Sequence, residues 1–328
     1  MSPSSPLARS LRPSDLPVLA SVWARGKLPF AGGDATAFCN EARTWGRLGL
    51  EERRVALLER AVQQWAPIGG GRLTWVAMRG MALRGLASAR RRSAYGGWQV
   101  DYLIGAPGEE GTCTTLLEAL THGLGRAGAE RVFLRLDTDS RLLGAVRCAG
   151  FFPYLRERLW RLERAPGGLE STPLPMRPRT AADQLPLFQL YNASVPAAVR
   201  RSEALTLREF AALQERGRCQ QLVLQKDVRL AAWLRLVRHD GACCFALLAP
   251  RREDVPLEDL LATALHYMQD RRPIFCLVPE YERSLAARLV DLGFQPAADY
   301  AVLANRLVRP VEEAVSVPTG AQQPYPVS

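Results

Sequence analysis

The stretch GAPGEEGTCTTLLEAL, Gly105 to Leu120, places three glycines between an apolar run and an amphipathic one. Glycines that open a helix let backbone N–H groups approach an anion closely, and the helix dipole adds attraction. The chemistry suggested is a phosphate cradle. Glu109 and Glu110 stand inside the same loop. Acidic side chains there stabilise a helix start by about 0.3–1 kcal/mol each, yet they repel a phosphate unless solvent screens them. Two readings stay open: a cofactor loop, or a plain strand–helix turn. Cys113, at the helix start, is either a thiol of lowered pKa or a small buried one.

The elements that must hold this loop follow from periodicity. A short strand is expected around Leu11–Arg12, then a helix started by Pro13-Ser14-Asp15. Val55, Leu58, Val62 and Trp65 mark a helix over 50–65. RLTWVAMRG and MALRGLASARRR read as strands about a turn at Arg79-Gly80, and WQVDYLIG as a third strand leading into the loop. Leu116, Leu117, Leu120 and Leu124 share a face of the helix that follows. Next come the strand RVFLRL, a helix over 140–149, a strand starting at Gly150-Phe151, and RERLWRLE as a closing strand. Arg90-Arg91-Arg92 reads as a solvated hairpin tip, or else as a holder of a phosphate or an acidic substrate.

After the linker-like RAPGGLESTPLP the order returns. It runs through the short strand PMRP, helices over 182–193 and 207–215, and a three-stranded meander turning at Lys226-Asp227 and Asp240-Gly241. A helix over 257–268, PIFCLV, a helix over 283–292, Gly293-Phe294 and YAVLANRLV complete it. LRPSDLPVL echoes MRPRTAADQLPLFQL, and LLGAVRCAGFFP echoes LAARLVDLGFQP. The chain therefore reads as a duplication. Its parts are an N-terminal domain (1–165), a linker (166–175), a C-terminal domain (176–309) and a disordered tail (310–328). The mixed strand order excludes a plain doubly wound parallel sheet.

Composition narrows the function. The net charge of +10 is carried by the first half: residues 1–165 hold 24 basic and 15 acidic side chains. All but two of the basic residues are arginine, a bias that also follows from base composition, so a nucleic-acid partner is not favoured. Seven cysteines without a C-x-x-C pair, and three scattered histidines, suggest neither a disulfide framework nor a metal site. With no secretory leader and no apolar run of ~20 residues, a cytoplasmic protein without a membrane span is expected.

The ordered set of motifs, met twice, resembles the GCN5-related N-acetyltransferase (GNAT) family. LRPSDLPVL is similar to the family's first strand and helix. YLIGAPGEEGTCTTLLEAL is similar to its cofactor motif, R/Q-x-x-G-x-G/A. RVFLRLDTDSRLLGAVRCAGF is similar to its next strand and helix. The resemblance implies an α+β fold of two tandem domains, each a mixed, mostly antiparallel sheet flanked by helices. It implies acetyl-CoA as co-substrate and a small-molecule or peptide amine as acceptor. Gly108 stands at the family's Arg or Gln, Gly111 at its first glycine and Cys113 at the second small residue. With Thr112 and Thr114 they would surround the pyrophosphate. A backbone N–H of Leu103-Ile104-Gly105 would stabilise the oxyanion, and Asp139 would head the next helix. In the second half Arg252 keeps the basic position, but Val255 and Leu257 replace the glycines, and Pro256 lacks an N–H. That half is expected to be structural or to shape the acceptor site. The family's tyrosine acid falls at Val146 and Leu289, which donate no proton. Asp101 as base, and Tyr102 and Tyr154 as acids, are the candidate replacements. The function implied is an acyl-CoA-dependent N-acyltransferase with the amine between the halves. The alternative is an inactive ligand-sensing or protein-interaction protein on the same fold.

Overall fold

Each half opens on the same device. Asp15 accepts both guanidinium nitrogens of Arg9, at 2.7 and 2.6 Å, and Asp183 accepts those of Arg177, at 2.8 and 2.7 Å. Both carboxylates also accept a backbone N–H three residues upstream, from Arg12 and Thr180. Each closes a capping box over a 3₁₀ turn, Pro13–Asp15 or Ala181–Asp183. Both aspartates are buried, and hydrogen bonding to arginine is the main reason their carboxyls titrate below the usual range. The computed structural model describes residues 7–19, 71–92, 96–105, 108, 110–164, 173–213, 219–239, 242–250, 255–268 and 273–307. The expected helix over 50–65, the Asp240-Gly241 turn, Glu109, Arg252, most of the linker and the tail lie outside the described residues.

The first half contributes β1 (Leu7–Ser10), β2 (Arg72–Arg79), β3 (Ala82–Arg91), β4 (Gly97–Gly105), α1 (Glu110–Arg126), β5 (Arg131–Asp137), α2 (Leu143–Cys148) and β6 (Phe152–Leu162). The second contributes β7 (Arg177–Pro178), α3 (Gln184–Ser194), α4 (Ala197–Glu203), α5 (Leu207–Leu213), β8 (Cys219–Lys226), β9 (Arg229–His239), β10 (Ala242–Leu248), α6 (Leu257–His266), β11 (Ile274–Pro279), α7 (Arg283–Asp291) and β12 (Gln295–Arg306). The fold is α+β. The first strand precedes Leu11 rather than containing it, because Pro13 at the first helical position fixes the helix start just beyond.

All twelve strands form one sheet, in the order β1-β2-β3-β4-β5-β12-β6-β11-β10-β9-β8-β7. The sequence predicts two short strands at the end of each half; the structure has one long strand in each, and the halves exchange them. β12 lies between β5 and β6, and β6 lies between β12 and β11, all antiparallel. Pro153 and Pro296 cost the ladder little because they sit near the strand starts. Among the described residues only β4–β5 and β10–β11 pair in parallel, each over three residues, and beyond Gln99–Phe133 β4 and β5 separate.

Two larger cores form around α1 with α2 and around α6 with α7. In α1, Leu116, Leu117, Leu120 and Leu124 are fully buried, as their spacing predicts. A third core joins α3, α4 and α5 to Leu155 and Val302 of the exchanged strands. The two Gly-Phe pairs end α2 and α7 alike, with φ +82° at Gly150 and +85° at Gly293, and both phenylalanines are buried.

Replacing Asp183 by Asn should destabilise the protein at neutral pH, since charge-assisted bonds to Arg177 are lost. The wild-type carboxyl is depressed, so this stability is present above the unfolded pKa near 4 and lost as pH falls through the folded one. The gap between the two proteins should therefore close in denaturant melts run progressively below about pH 4.

Candidate functional site

Where β4 and β5 part, the sheet floors a cavity of about 250 Å³. Its lining runs from Gln99 on β4 and Phe133 on β5, past Glu157 on β6, to Trp233 on β9 and Gln221 on β8. Leu187 and Tyr191 of α3, and Phe210 and Leu213 of α5, also line it, so both halves build the site. Gln99 marks its end at the strand split: the side-chain amide donates to the carbonyls of Phe133 (3.0 Å) and Val100 (3.2 Å).

Glu203, the last residue of α4, is the carboxylate around which the wall is organised. One oxygen accepts from Tyr154 at 3.1 Å, the other from Tyr191 at 3.0 Å. Burial pushes its carboxyl up to about 7; the tyrosine bonds and the Arg92 charge oppose that shift, while Glu157 adds to it. Tyr154 and Tyr191 are pushed above their usual range, by burial first and then by Glu203, so both stay protonated as donors. Arg131, at the start of β5, donates to the Ser202 and Glu203 carbonyls and pairs with Glu209, and Arg306 donates to the Arg201 carbonyl. Cations on the last carbonyls of a helix satisfy groups that have no intrahelical partner, which anchors Glu203 to the sheet.

Tyr154 reaches this position through a bulge. Val302 pairs with Leu155 and Leu303 with Pro153, so β6 holds one extra residue at Tyr154. A bulge re-aims a side chain that strict alternation would send elsewhere. A second bulge, at Asp101, lies between the pairs Ser88–Tyr102 and Ala89–Val100.

The proposed roles divide accordingly. Tyr154 lines the cavity; Asp101 and Tyr102 do not. Asp101 is buried and accepts both guanidinium nitrogens of Arg72, at 2.9 and 2.6 Å. Arg72 also donates to Ser88, and its guanidinium lies 6.0 Å from the Tyr102 ring. Asp101 is thus a structural ion partner inside the sheet, not a base, and Tyr102 is packed beside it. Val146 and Leu289 are fully buried core residues. The helix over 197–203 was missed by the sequence reading. Pro196 before Ala197-Ala198 is its one start signal in the sequence.

A scan against protein-family models and a search of curated proteins each return no match. Solved structures do match. A GCN5-related N-acetyltransferase from Sphaerobacter thermophilus is 15% identical over 94% of this chain and 98% of its own, with a TM-score of 0.54. A candidate acetyltransferase from Pyrococcus horikoshii is 15% identical over 94% and 92%, with a TM-score of 0.51. A tandem GNAT protein from the clavulanic acid biosynthesis pathway is 14% identical over 83% and 98%, with a TM-score of 0.48. This chain has the GNAT fold.

The sequence assigns the candidate cofactor loop to the segment before α1. Gly111 is exposed, and a Cβ built there or at Gly108 meets nothing within 4 Å, so neither glycine is demanded by packing. Gly105 differs: a Cβ would stand 2.4 Å from the Cys113 sulfur. Cys113 is fully buried, and burial, with Glu110 adding to it, pushes its thiol up to about 12. Of the two readings of Cys113 the small buried thiol is the one observed: it fills the space that Gly105 leaves. Thr114 donates to the Ala145 carbonyl at 3.2 Å and ties α1 to α2, and Thr112 is buried. Glu110 is exposed, which screens it. Asp139 is exposed, and it is Ser140 whose hydroxyl accepts a backbone N–H, from Leu142, at the head of α2. In the second half Val255 and Leu257 pack against the core around α6, and Pro256 caps that helix. Among the described residues no helix is long and apolar enough to cross a membrane, and no cluster of metal-ligating side chains occurs.

Because Glu203 titrates above its unfolded value near 4.5, the folded state holds the extra proton between about pH 4.5 and 7. Wild-type stability should fall by about 3 kcal/mol across that window as pH rises. Denaturant melts should show Glu203→Gln losing that dependence and exceeding wild type at pH 8.

Proposed function

We propose that the protein is an acyl-CoA-dependent N-acyltransferase, acetyl-CoA being the donor, whose acceptor amine enters the cavity at Glu203. The carrying observation is a carboxylate of pKa about 7 in a cavity that begins where β4 and β5 separate. A base acts best when its pKa lies near the working pH, and an alkylammonium must lose a proton before it attacks.

The residues present fit the donor. Gly108 and Gly111 leave open space at the N-terminus of a seventeen-residue helix, whose first N–H groups have no intrahelical acceptor. Gly108, Gly111 and the start of α1 would hold the pyrophosphate. When bound, the donor supplies an activated thioester carbonyl. The separation of β4 from β5 leaves backbone N–H groups near Leu103–Gly105 without a ladder partner on the β5 side, and these are suited to an oxyanion. Glu203 takes the amine proton, Tyr154 and Tyr191 fix its two oxygens, and Arg131 fixes the helix end that carries it. Tyr154, whose hydroxyl donates to Glu203, would relay the proton that Glu203 takes from the amine to the leaving thiolate. The alternative, a ligand-sensing protein on this fold, is favoured by the core residues at Val146 and Leu289.

Calorimetric titration of acetyl-CoA should give a micromolar dissociation constant, and Gly111→Trp, which meets no neighbour at Cβ, should abolish it in a folded protein. In a thiol-release assay, Glu203→Gln should lower kcat/KM by about 10²–10⁴ and remove a rising limb with its midpoint near pH 7. No heat up to millimolar acetyl-CoA would retire the donor; binding without turnover across amines would leave the sensor.

A further inference from the structure

The arginine run at the end of β3 is not all solvated. Arg91 is exposed, but Arg92 is half-buried and lines the cavity that holds Glu203, its guanidinium 5.1 Å from the Phe133 ring. Its charge is felt at both Glu203 and Tyr154. Two other arginines line the cavity. Arg135 is neutralised by Glu157 at 2.8 Å, and Arg235 lies on β9, on the far side of β12, β6, β11 and β10 from Phe133. At the β4–β5 end of the trough Glu203 shares the lining with the Arg92 guanidinium, whose charge reaches it. Away from that end Leu187, Tyr191, Val195, Phe210, Leu213 and Trp233 make the lining apolar.

We infer that the acceptor is an α-amino acid with a large apolar side chain, its amine at Glu203, its carboxylate at Arg92 and its side chain along the apolar trough. This rests on the acyl-transfer reading of the site. An α-amine and its carboxylate are two bonds apart, which suits an acid and a base that share one end of a cavity. A carboxylate gains a planar, two-pronged partner in a guanidinium, and more so away from water. The volume, about 250 Å³, exceeds the roughly 150 Å³ that takes benzene, so a ring plus its amino-acid head is accommodated. Among the described lining residues, three arginines against two glutamates disfavour a polyamine or a lysine-rich peptide.

The test is binding to the full chain by calorimetry at about pH 8, with phenylalanine, phenethylamine, alanine and spermidine as probes, followed by the thiol-release assay with each. Phenylalanine should bind at least about tenfold tighter than phenethylamine, which lacks the carboxylate, and than alanine, which lacks the ring. Arg92→Gln, checked for an unchanged melt, should erase the preference for phenylalanine over phenethylamine; Arg92→Lys should restore part of it. Equal binding of phenethylamine or spermidine, equal losses for all probes in Arg92→Gln, or no heat with phenylalanine at millimolar concentration overturns the inference. Phenylalanine bound but not acetylated keeps the ligand class and retires acyl transfer. Spermidine acetylated in preference to phenylalanine keeps acyl transfer and retires this ligand class.

Discussion

The pairing of β12 with β6 is the interaction on which the rest of this molecule depends. Each strand ends one half, and each completes the sheet of the other. A strand inserted between two neighbours satisfies its backbone groups on both sides, and a half without it would expose an unpaired edge. The halves therefore do not dock as finished domains. They share one sheet, whose remaining edges are the short β1 and β7. Leu155 and Val302, facing each other across the exchanged pair, also join the core beneath α3, α4 and α5.

That exchange also makes the site. Tyr154 and Glu157 come from β6, and Val302 from β12, so the strands that fuse the sheet also floor the cavity. Glu203 comes from the second half, and Arg131, which fastens its helix end, from the first. Removing a carboxylate from water raises its pKa, and the two tyrosine bonds limit the rise, so the outcome near 7 is a balance of burial against hydrogen bonding. Neither half alone could set that balance.

The two halves share their openings and helix ends and differ at the loop before the main helix. The Arg–Asp pair that starts each half and the glycine that ends α2 and α7 recur with matching geometry. The loops before α1 and α6 do not: open glycines stand in the first, core-packed Val255 and Leu257 in the second. The second half uses α3, α4 and α5 instead, which roof the cavity.

Sequence by itself determined the local layer of this protein. The leucine spacing of α1, the alternation of β2 to β5, the repeat of Arg–Pro openings and Gly-Phe ends, and the family resemblance all rest on contacts within a few residues or on side-chain type. The candidate loop was legible for the same reason. What only the tertiary structure decided are the properties that arise between distant segments. Asp101 next to Tyr102 reads as a catalytic pair, but Arg72, 29 residues away, takes both carboxylate oxygens. Cys113 reads as a thiol at a helix start, but burial against Gly105 holds it protonated. In the sequence Glu203 is one charge two residues after Arg200-Arg201. Its proton affinity comes from the water that the cavity walls exclude, held in check by bonds from Tyr154, 49 residues before it, and from Tyr191. A pKa is a property of surroundings, and these surroundings exist only once the two halves have traded strands.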